Sequence, residues 1–339
     1  MALVWLKFIL CLAIILFAGT KLARYGDAIA EKTGLGRIWI GLILIAAITT
    51  MPELVTSVSS VALVRPPSPD LALGTLLGSC LFNLSILALL DILHPHIPVL
   101  SQASSRHMVS AGCGILLIAI AAGGILAGAR FPGMALGWVG IPGIIILILY
   151  FVGMRRMFLS ERSHQSSVQD APSQYKEIPA RTAYFRFTLA AAAVIGAGIW
   201  LAFVGDEISQ VYNWDASFVG SLFLAITTSA PELVVAITAL RLNALDMAVA
   251  DVLGANMLDI AVIFPVDLFY IKGAVLSSVS SSHLITAAVV VVMNLLVIAG
   301  LRLRQRRKTF IVVSWYALAL IGLYIFAAYA LFTSGIGLS

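Results

Sequence analysis

Glu53 and Glu232 each stand in the middle of a long apolar run, directly after a proline, in Ala46-Ala-Ile-Thr-Thr-Met-Pro-Glu-Leu-Val55 and Ala225-Ile-Thr-Thr-Ser-Ala-Pro-Glu-Leu-Val234. Taking an isolated carboxylate out of water costs several kcal/mol, so a group placed this way needs a proton, a partner or a cation. Lys and Arg are absent from these runs, which leaves protons and cations. Pro52 and Pro231 lack an N–H and clash with the carbonyl four residues back, so the carbonyls of Ile48 and Thr227 lose their helical partner. Those carbonyls, the hydroxyls of Thr49, Thr50, Thr228 and Ser229, and the two carboxylates make an all-oxygen ligand set suited to hard cations such as Na⁺ or Ca²⁺.

A second pair of segments repeats as well. Leu73-Gly-Thr-Leu-Leu-Gly-Ser-Cys-Leu-Phe-Asn83 matches Val249-Ala-Asp-Val-Leu-Gly-Ala-Asn-Met-Leu-Asp259, and Asp91 stands to Asp267 as Asn83 does to Asp259. Asn83 and Asp259 add polar oxygens at equivalent positions, with Ser79 one helical turn before Asn83 on the same face. Gly74, Gly78, Ala250, Gly254 and Ala255 are small enough for neighbouring helices to approach closely. A single Pro-Glu in a membrane helix could be a kink with a protonated glutamate, and Gly-rich faces alone could be packing; the duplication favours a shared site. Asp91 and Asp267, near span ends, read as interfacial or pairing residues, while Asp251 could serve the site or a water-filled pathway. His94 and His96 read as solvated loop residues, and His107, His164 and His283 as scattered.

The elements that must position these groups follow from composition. Of 339 residues, 61% are hydrophobic and 11% charged, with a mean hydropathy of +1.04, which points to lipid rather than water as the solvent. Continuous apolar runs without period-2 alternation predict helices, an all-α integral membrane protein rather than a barrel. Ten spans are expected, at roughly 4–22, 36–62, 70–93, 108–128, 134–154, 184–205, 216–240, 244–270, 283–301 and 309–332. The first could instead be a signal peptide, but it lacks a small-residue cleavage site and reads as a helix. Sorting connections by parity puts about seventeen of the 21 Lys and Arg residues, including the cluster Arg302–Lys308, on one side. That side is then cytoplasmic, and both termini are extracytoplasmic. The positive-inside rule accounts for the basic charge, so no nucleic-acid partner is invoked. Cys11, Cys80 and Cys113 lie in apolar spans without paired spacing and read as packing residues.

The polar stretch from about Arg155 to Arg181 reads as a cytoplasmic linker, giving a first membrane region at 1–154, a linker at 155–183 and a second membrane region at 184–339. Five spans per half is an odd number, so the halves enter the membrane with opposite orientation, and kinked helices 2 and 7 fall at the centre. In such inverted repeats a site lies at the midplane where the halves meet.

The segments Thr-Thr-Met-Pro-Glu53 and Thr-Ser-Ala-Pro-Glu232, with Gly-Ser-Cys-Leu-Phe-Asn83 and Gly-Ala-Asn-Met-Leu-Asp259, resemble the paired α-repeats of the cation/calcium antiporter superfamily, which includes the sodium/calcium exchangers. The resemblance implies exchange of Ca²⁺ for Na⁺ across a cytoplasmic membrane by alternating access, the first and sixth spans sliding past a fixed core. It also implies that Glu53 and Glu232 are the central metal ligands. Thr49, Thr50, Thr228 and Ser229, the carbonyls of Ala46 and Ala225, and Ser79, Asn83 and Asp259 would complete the set. Three positions depart from the pattern: Thr50 for a serine, Cys80 for an asparagine, and Ala255 for a serine that would be a ligand. The last puts the sodium stoichiometry in question and keeps H⁺-coupled exchange of Ca²⁺ or another divalent cation as an alternative. An enzyme is not expected: no His-Glu-x-x-His or Gly-x-Ser-x-Gly occurs in any span. Neither a cofactor beyond the transported ions nor an obligate protein partner is indicated, and a non-transporting membrane scaffold remains the bland alternative.

Overall fold

The computed structural model describes residues 2–33, 45–94, 97–130, 135–162, 178–305, 307–310 and 313–335; His96, His164 and most of the expected linker lie outside them. The described chain is helical apart from one small ribbon. In order it forms α1 (Ala2–Thr33), α2 (Ile45–Thr49), α3 (Met51–Ala62), α4 (Pro69–Leu93), α5 (Val99–Gln102) and α6 (His107–Arg130), then a ribbon pairing Ala135–Leu136 with Val139–Gly140. There follow α7 (Ile141–Arg162), α8 (Ala180–Tyr212), α9 (Ala216–Val219), a π-helical turn (Gly220–Leu224), α10 (Ala225–Thr228) and α11 (Ala230–Arg241). The chain ends with α12 (Leu245–Ala261), α13 (Ile263–Phe269), a 3₁₀ turn (Val275–Ser277), α14 (His283–Leu303) and α15 (Trp315–Gly335).

Each of the ten apolar runs read from the sequence overlaps helix among the described residues; 36–44 of the second lie outside them, and the fifth begins at the ribbon. By length and composition seven spans among the described residues can cross a membrane, and the bent pair Ala216–Thr228 and Ala230–Arg241 makes an eighth. Burial separates centre from periphery: 72% of the apolar window in α4 and 83% of that in α12–α13 is buried, against 28% in α1 and 22% in α15. Helix α4 packs against the π turn, α12, α14 and α15, while α1 lies along α8. Outward-facing Leu6, Phe17, Phe185, Leu189, Phe326 and Tyr329 leave the outer helices with a surface that water would not tolerate and hydrocarbon would.

Close approach at the centre depends on glycine. A Cβ on Gly78 would stand 2.3 Å from the Ser221 carbonyl oxygen, and one on Gly74 2.8 Å from that of Ser217. Missing side chains there let α4 lie directly on the backbone of α9 and the π turn.

Acids fasten the helix ends in matched pairs, Asp91 and Asp267 buried, Asp70 partly and Asp246 largely exposed. Asp91 accepts from the Val99 N–H (3.0 Å), the Ser314 N–H (2.9 Å) and the Tyr316 hydroxyl (2.5 Å); Lys308 Nζ bonds the Asp91 carbonyl as well. Asp267 accepts from the Val275 N–H (2.7 Å) and the Gly140 N–H (2.6 Å). Asp70 accepts from the Ser280 N–H (2.6 Å) and lies 3.1 Å from His283 Nε2; Asp246 accepts from the Ser104 N–H (2.6 Å) and lies 3.0 Å from His107 Nε2. Counterparts in the two sets (Asp91 and Asp267, Val99 and Val275, Asp70 and Asp246, Ser104 and Ser280, His107 and His283) all stand 176 positions apart, the spacing of Cys80 and Asn256. Reading the two histidines as scattered is thereby corrected: each binds an aspartate from the other half of the chain.

Candidate functional site

Both Pro-Glu segments break their helices where the missing N–H requires. α2 stops at Thr49 and α3 starts at Met51, with Thr50 between them at φ −76°, ψ 0°. α10 stops at Thr228 and α11 starts at Ala230, with Ser229 at φ −86°, ψ 10° and a bend of 45°. Each glutamate consequently falls in the first turn of a new helix, Glu53 on α3 and Glu232 on α11, where unpaired N–H groups and the helix dipole favour negative charge.

Four elements converge on these carboxylates. Ser229 Oγ donates to Glu53 Oε1 at 2.7 Å, and Ser79 Oγ of α4 donates to the same oxygen at 3.3 Å. Ser79 Oγ is also 3.5 Å from Thr228 Oγ1. Asn83 Nδ2 donates to Asp259 Oδ2 at 3.3 Å, joining α4 to α12. Thr49, Thr50, Glu53, Ser79, Asn83, Thr228, Ser229, Glu232 and Asp259 are all 1% exposed or less. Of the expected backbone ligands, Ala46 lies in α2; the Ala225 carbonyl is engaged by the Ser229 N–H (3.0 Å) and the Thr228 hydroxyl (3.3 Å).

The arrangement is rich in acceptors and short of donors. Thr50 Oγ1, Glu53 Oε2, Asn83 Oδ1, Glu232 Oε2, Asp251 Oδ2, Asn256 Oδ1 and Asp259 Oδ1 are buried without a hydrogen-bond partner. Buried polar atoms are ordinarily paired, and leaving one unpaired costs about 1–3 kcal/mol. Carboxylates and amide oxygens left unpaired in this way call for a proton or a cation. Among the described residues no three His, Cys, Asp or Glu side chains cluster on one point; the acids here are spread over three helices and interleaved with hydroxyls and amides, as a hard-cation shell requires.

Sequence reasoning overlooked two members. Cys80, read as packing, donates its thiol to the Asn256 carbonyl (3.6 Å) and stands 4.0 Å from Asp259 Oδ2. Asn256 Nδ2 in turn donates to the Cys80 carbonyl (3.4 Å). Cys80 and Asn256 are counterparts in the repeat, as are Asn83 and Asp259, so in both cases a residue meets its own counterpart.

A many-helixed apolar protein with a buried, oxygen-lined site between two broken helices is of the class that moves ions through membranes. The family model described as sodium/calcium exchanger protein matches residues 3–158 and 182–333, and the chain belongs to that family, one of transporters rather than enzymes. It is 26% identical over 261 residues to the inner membrane protein YrbG of Escherichia coli K12, covering 74% of this chain and 75% of YrbG. It is 30% identical over 162 residues to the putative antiporter CaxA of Alkalimonas amylolytica, covering 47% of this chain and 46% of CaxA. Among solved structures, the sodium-calcium exchanger NCX_Mj soaked with Na⁺ and Sr²⁺ shares the fold, with a TM-score of 0.62 at 20% identity over 97% of this chain and 99% of that one.

Proposed function

We propose that this protein is a secondary antiporter exchanging Ca²⁺ for Na⁺ across a cytoplasmic membrane by alternating access, with ten spans arranged as two inverted five-helix halves. Residues that bond their own repeat counterparts, Asn83 with Asp259 and Cys80 with Asn256, support the inverted arrangement, because a two-fold axis makes such contacts natural. In this reading both termini are extracytoplasmic, and the transported ions are the only ligands required.

One observation carries the functional reading: Glu53 and Glu232 are each buried with an unpartnered oxygen, as are Thr50, Asn83 and Asp259 of the expected ligand set. Ca²⁺ takes six to eight oxygens at about 2.3–2.6 Å in flexible geometry. Glu53, Glu232, Asn83, Asp259 and the hydroxyls of Thr49, Thr50, Thr228, Ser229 and Ser79 supply them, with the carbonyls of Ala46 and Ala225 beside the helix breaks. Sodium ions compete for the same oxygens. An ion-free site would leave charged carboxylates in a low-dielectric interior, so the empty carrier crosses slowly and exchange proceeds without leak.

⁴⁵Ca²⁺ uptake into proteoliposomes under an imposed Na⁺ gradient tests this. Uptake is expected from the wild type and not from Glu53→Gln or Glu232→Gln; undiminished flux in those folded variants refutes the reading. Ala255 supports a second version, H⁺-coupled exchange, because its methyl provides no oxygen for a sodium ion. Uptake driven by a pH gradient and not by a Na⁺ gradient would select it.

A further inference from the structure

Asp251 is 5% exposed, and its Oδ2 has no hydrogen-bond partner. No role for it follows from the ligand set proposed above. It lies on α12 with Ala255 and Asp259 at spacings of four residues, which put all three on one helical face. α12 packs against α11, the helix that carries Glu232.

The repeat gives the comparison that decides what this carboxylate is for. On α4, Ser79 occupies the position of Ala255 and donates to Glu53. Thr75 occupies the position of Asp251 and is satisfied within its own helix, donating to the Leu71 carbonyl at 2.8 Å. Glu53 therefore has a neutral hydroxyl beside it and no second acid on that face. Glu232 has a methyl at the hydroxyl's position and a carboxylate with an unpaired oxygen four residues away, about 6 Å nearer the Leu245 end.

We propose that Asp251 is an acidic ligand of the transported divalent cation, supplying with Glu232 Oε2 the oxygen that Ala255 cannot. The proposal rests on the cation-exchange reading of the site. Glu232 and Asp251 on one side, with Asp259 further along the same face of α12, against Glu53 with hydroxyls on the other make the site asymmetric, and the carboxylate-rich side is the one suited to a divalent ion. Calcium affinity rises with the number of charged ligands.

The test is equilibrium ⁴⁵Ca²⁺ binding and Ca²⁺-dependent thermal stabilisation of the purified full-length chain in detergent. Asp251→Asn is expected to weaken Ca²⁺ binding about tenfold, through the loss of one charged ligand, with unchanged thermal stability in the absence of ions. Asp251→Glu should retain most of the affinity, and Ala255→Ser added to Asp251→Asn should recover part of it. Asp251→Ser serves as the neutral variant if the asparagine chain does not fold. Wild-type Ca²⁺ affinity in a neutral variant overturns the proposal, and so does a loss of ion-free stability with affinity unchanged. Glu53→Gln is measured alongside: if it too binds Ca²⁺ normally, the site itself has been misread; if it abolishes binding while Asp251→Asn does not, only the role of Asp251 falls.

Discussion

Replacing Gly78 with alanine would drive a methyl group into the backbone that faces the site. The new Cβ would meet the Ser221 carbonyl oxygen at 2.3 Å, its Cα at 2.4 Å and its carbonyl carbon at 2.7 Å, whereas carbon atoms in contact sit about 3.5–4.0 Å apart. All three neighbours are main-chain atoms, so no side-chain rotation relieves the clash, and α4 must move from the π turn by about 1 Å. Overpacking of this kind costs about 1–3 kcal/mol. The functional consequence is larger. Ser79 is the next residue, and its hydroxyl lies 3.3 Å from Glu53 and 3.5 Å from Thr228. A shift of about 1 Å exceeds the spread of calcium–oxygen distances, and misplacement by that amount costs a site on the order of 100-fold. Gly78→Ala is therefore expected to lower apparent Ca²⁺ affinity in ⁴⁵Ca²⁺ uptake by about 10- to 100-fold, with a lower midpoint of thermal unfolding. Gly123→Ala and Gly322→Ala are the controls, since a Cβ at either position has nothing within 4 Å and alanine is the better helix former by about 1 kcal/mol. Wild-type Ca²⁺ dependence in Gly78→Ala, or an equal loss in the controls, would refute the reasoning.

Two further predictions concern the helix fasteners. Tyr316→Phe removes a 2.5 Å bond to a buried carboxylate and should cost about 1.5–3 kcal/mol. Asp91→Ala should cost more, because the Val99 and Ser314 N–H groups lose their acceptor too; thermal unfolding of the two variants measures both. In double-mutant cycles, Asp70 with His283 should show stronger coupling than Asp246 with His107, within the usual range of about 0.5–3 kcal/mol. His283 is wholly buried and Asp70 30% exposed at the side chain, whereas the Asp246 side chain is 62% exposed and screened by water.

The helices and the two breaks were legible because they depend on local chemistry: unbroken apolar runs, and prolines without an N–H. The hydrogen-bonded cluster of Glu53, Ser79, Thr228 and Ser229, and the pair Asn83 and Asp259, fall on residues that the sequence singled out because polar positions recur at matched places in two segments. The π turn at Gly220–Leu224 was not, since nothing in its own residues demands it; it goes with the close approach of α4, where a Cβ on Gly220 would stand 2.6 Å from the Leu71 carbonyl. Cys80 and Asn256 looked inert because their partners are each other, across the centre of the molecule. The Asp–His contacts had a detectable signal, the constant spacing of 176, which carries the repeat from Asp70 and Asp246 through to His107 and His283.

The same repeat shows where symmetry fails. Glu53 and Ser229 are bonded at 2.7 Å. Their counterparts are Glu232 and Thr50, and there the Thr50 hydroxyl and Glu232 Oε2 are both buried and unpaired. Two corresponding half-sites of unequal chemistry thus stand in different states within one conformation. Under the proposed inverted arrangement, a conformation with the Thr50–Glu232 bond made and the Ser229–Glu53 bond broken would be the counterpart of this one. A hydrogen bond to a charged group contributes about 1.5–3 kcal/mol, and exchanging one such bond for its counterpart offsets that contribution, whereas the bond from Ser79 to Glu53 has no counterpart at Ala255. In the proposed alternating access the bound ion has to supply that difference, because an ion can select only between states that its own differential binding energy is large enough to reorder.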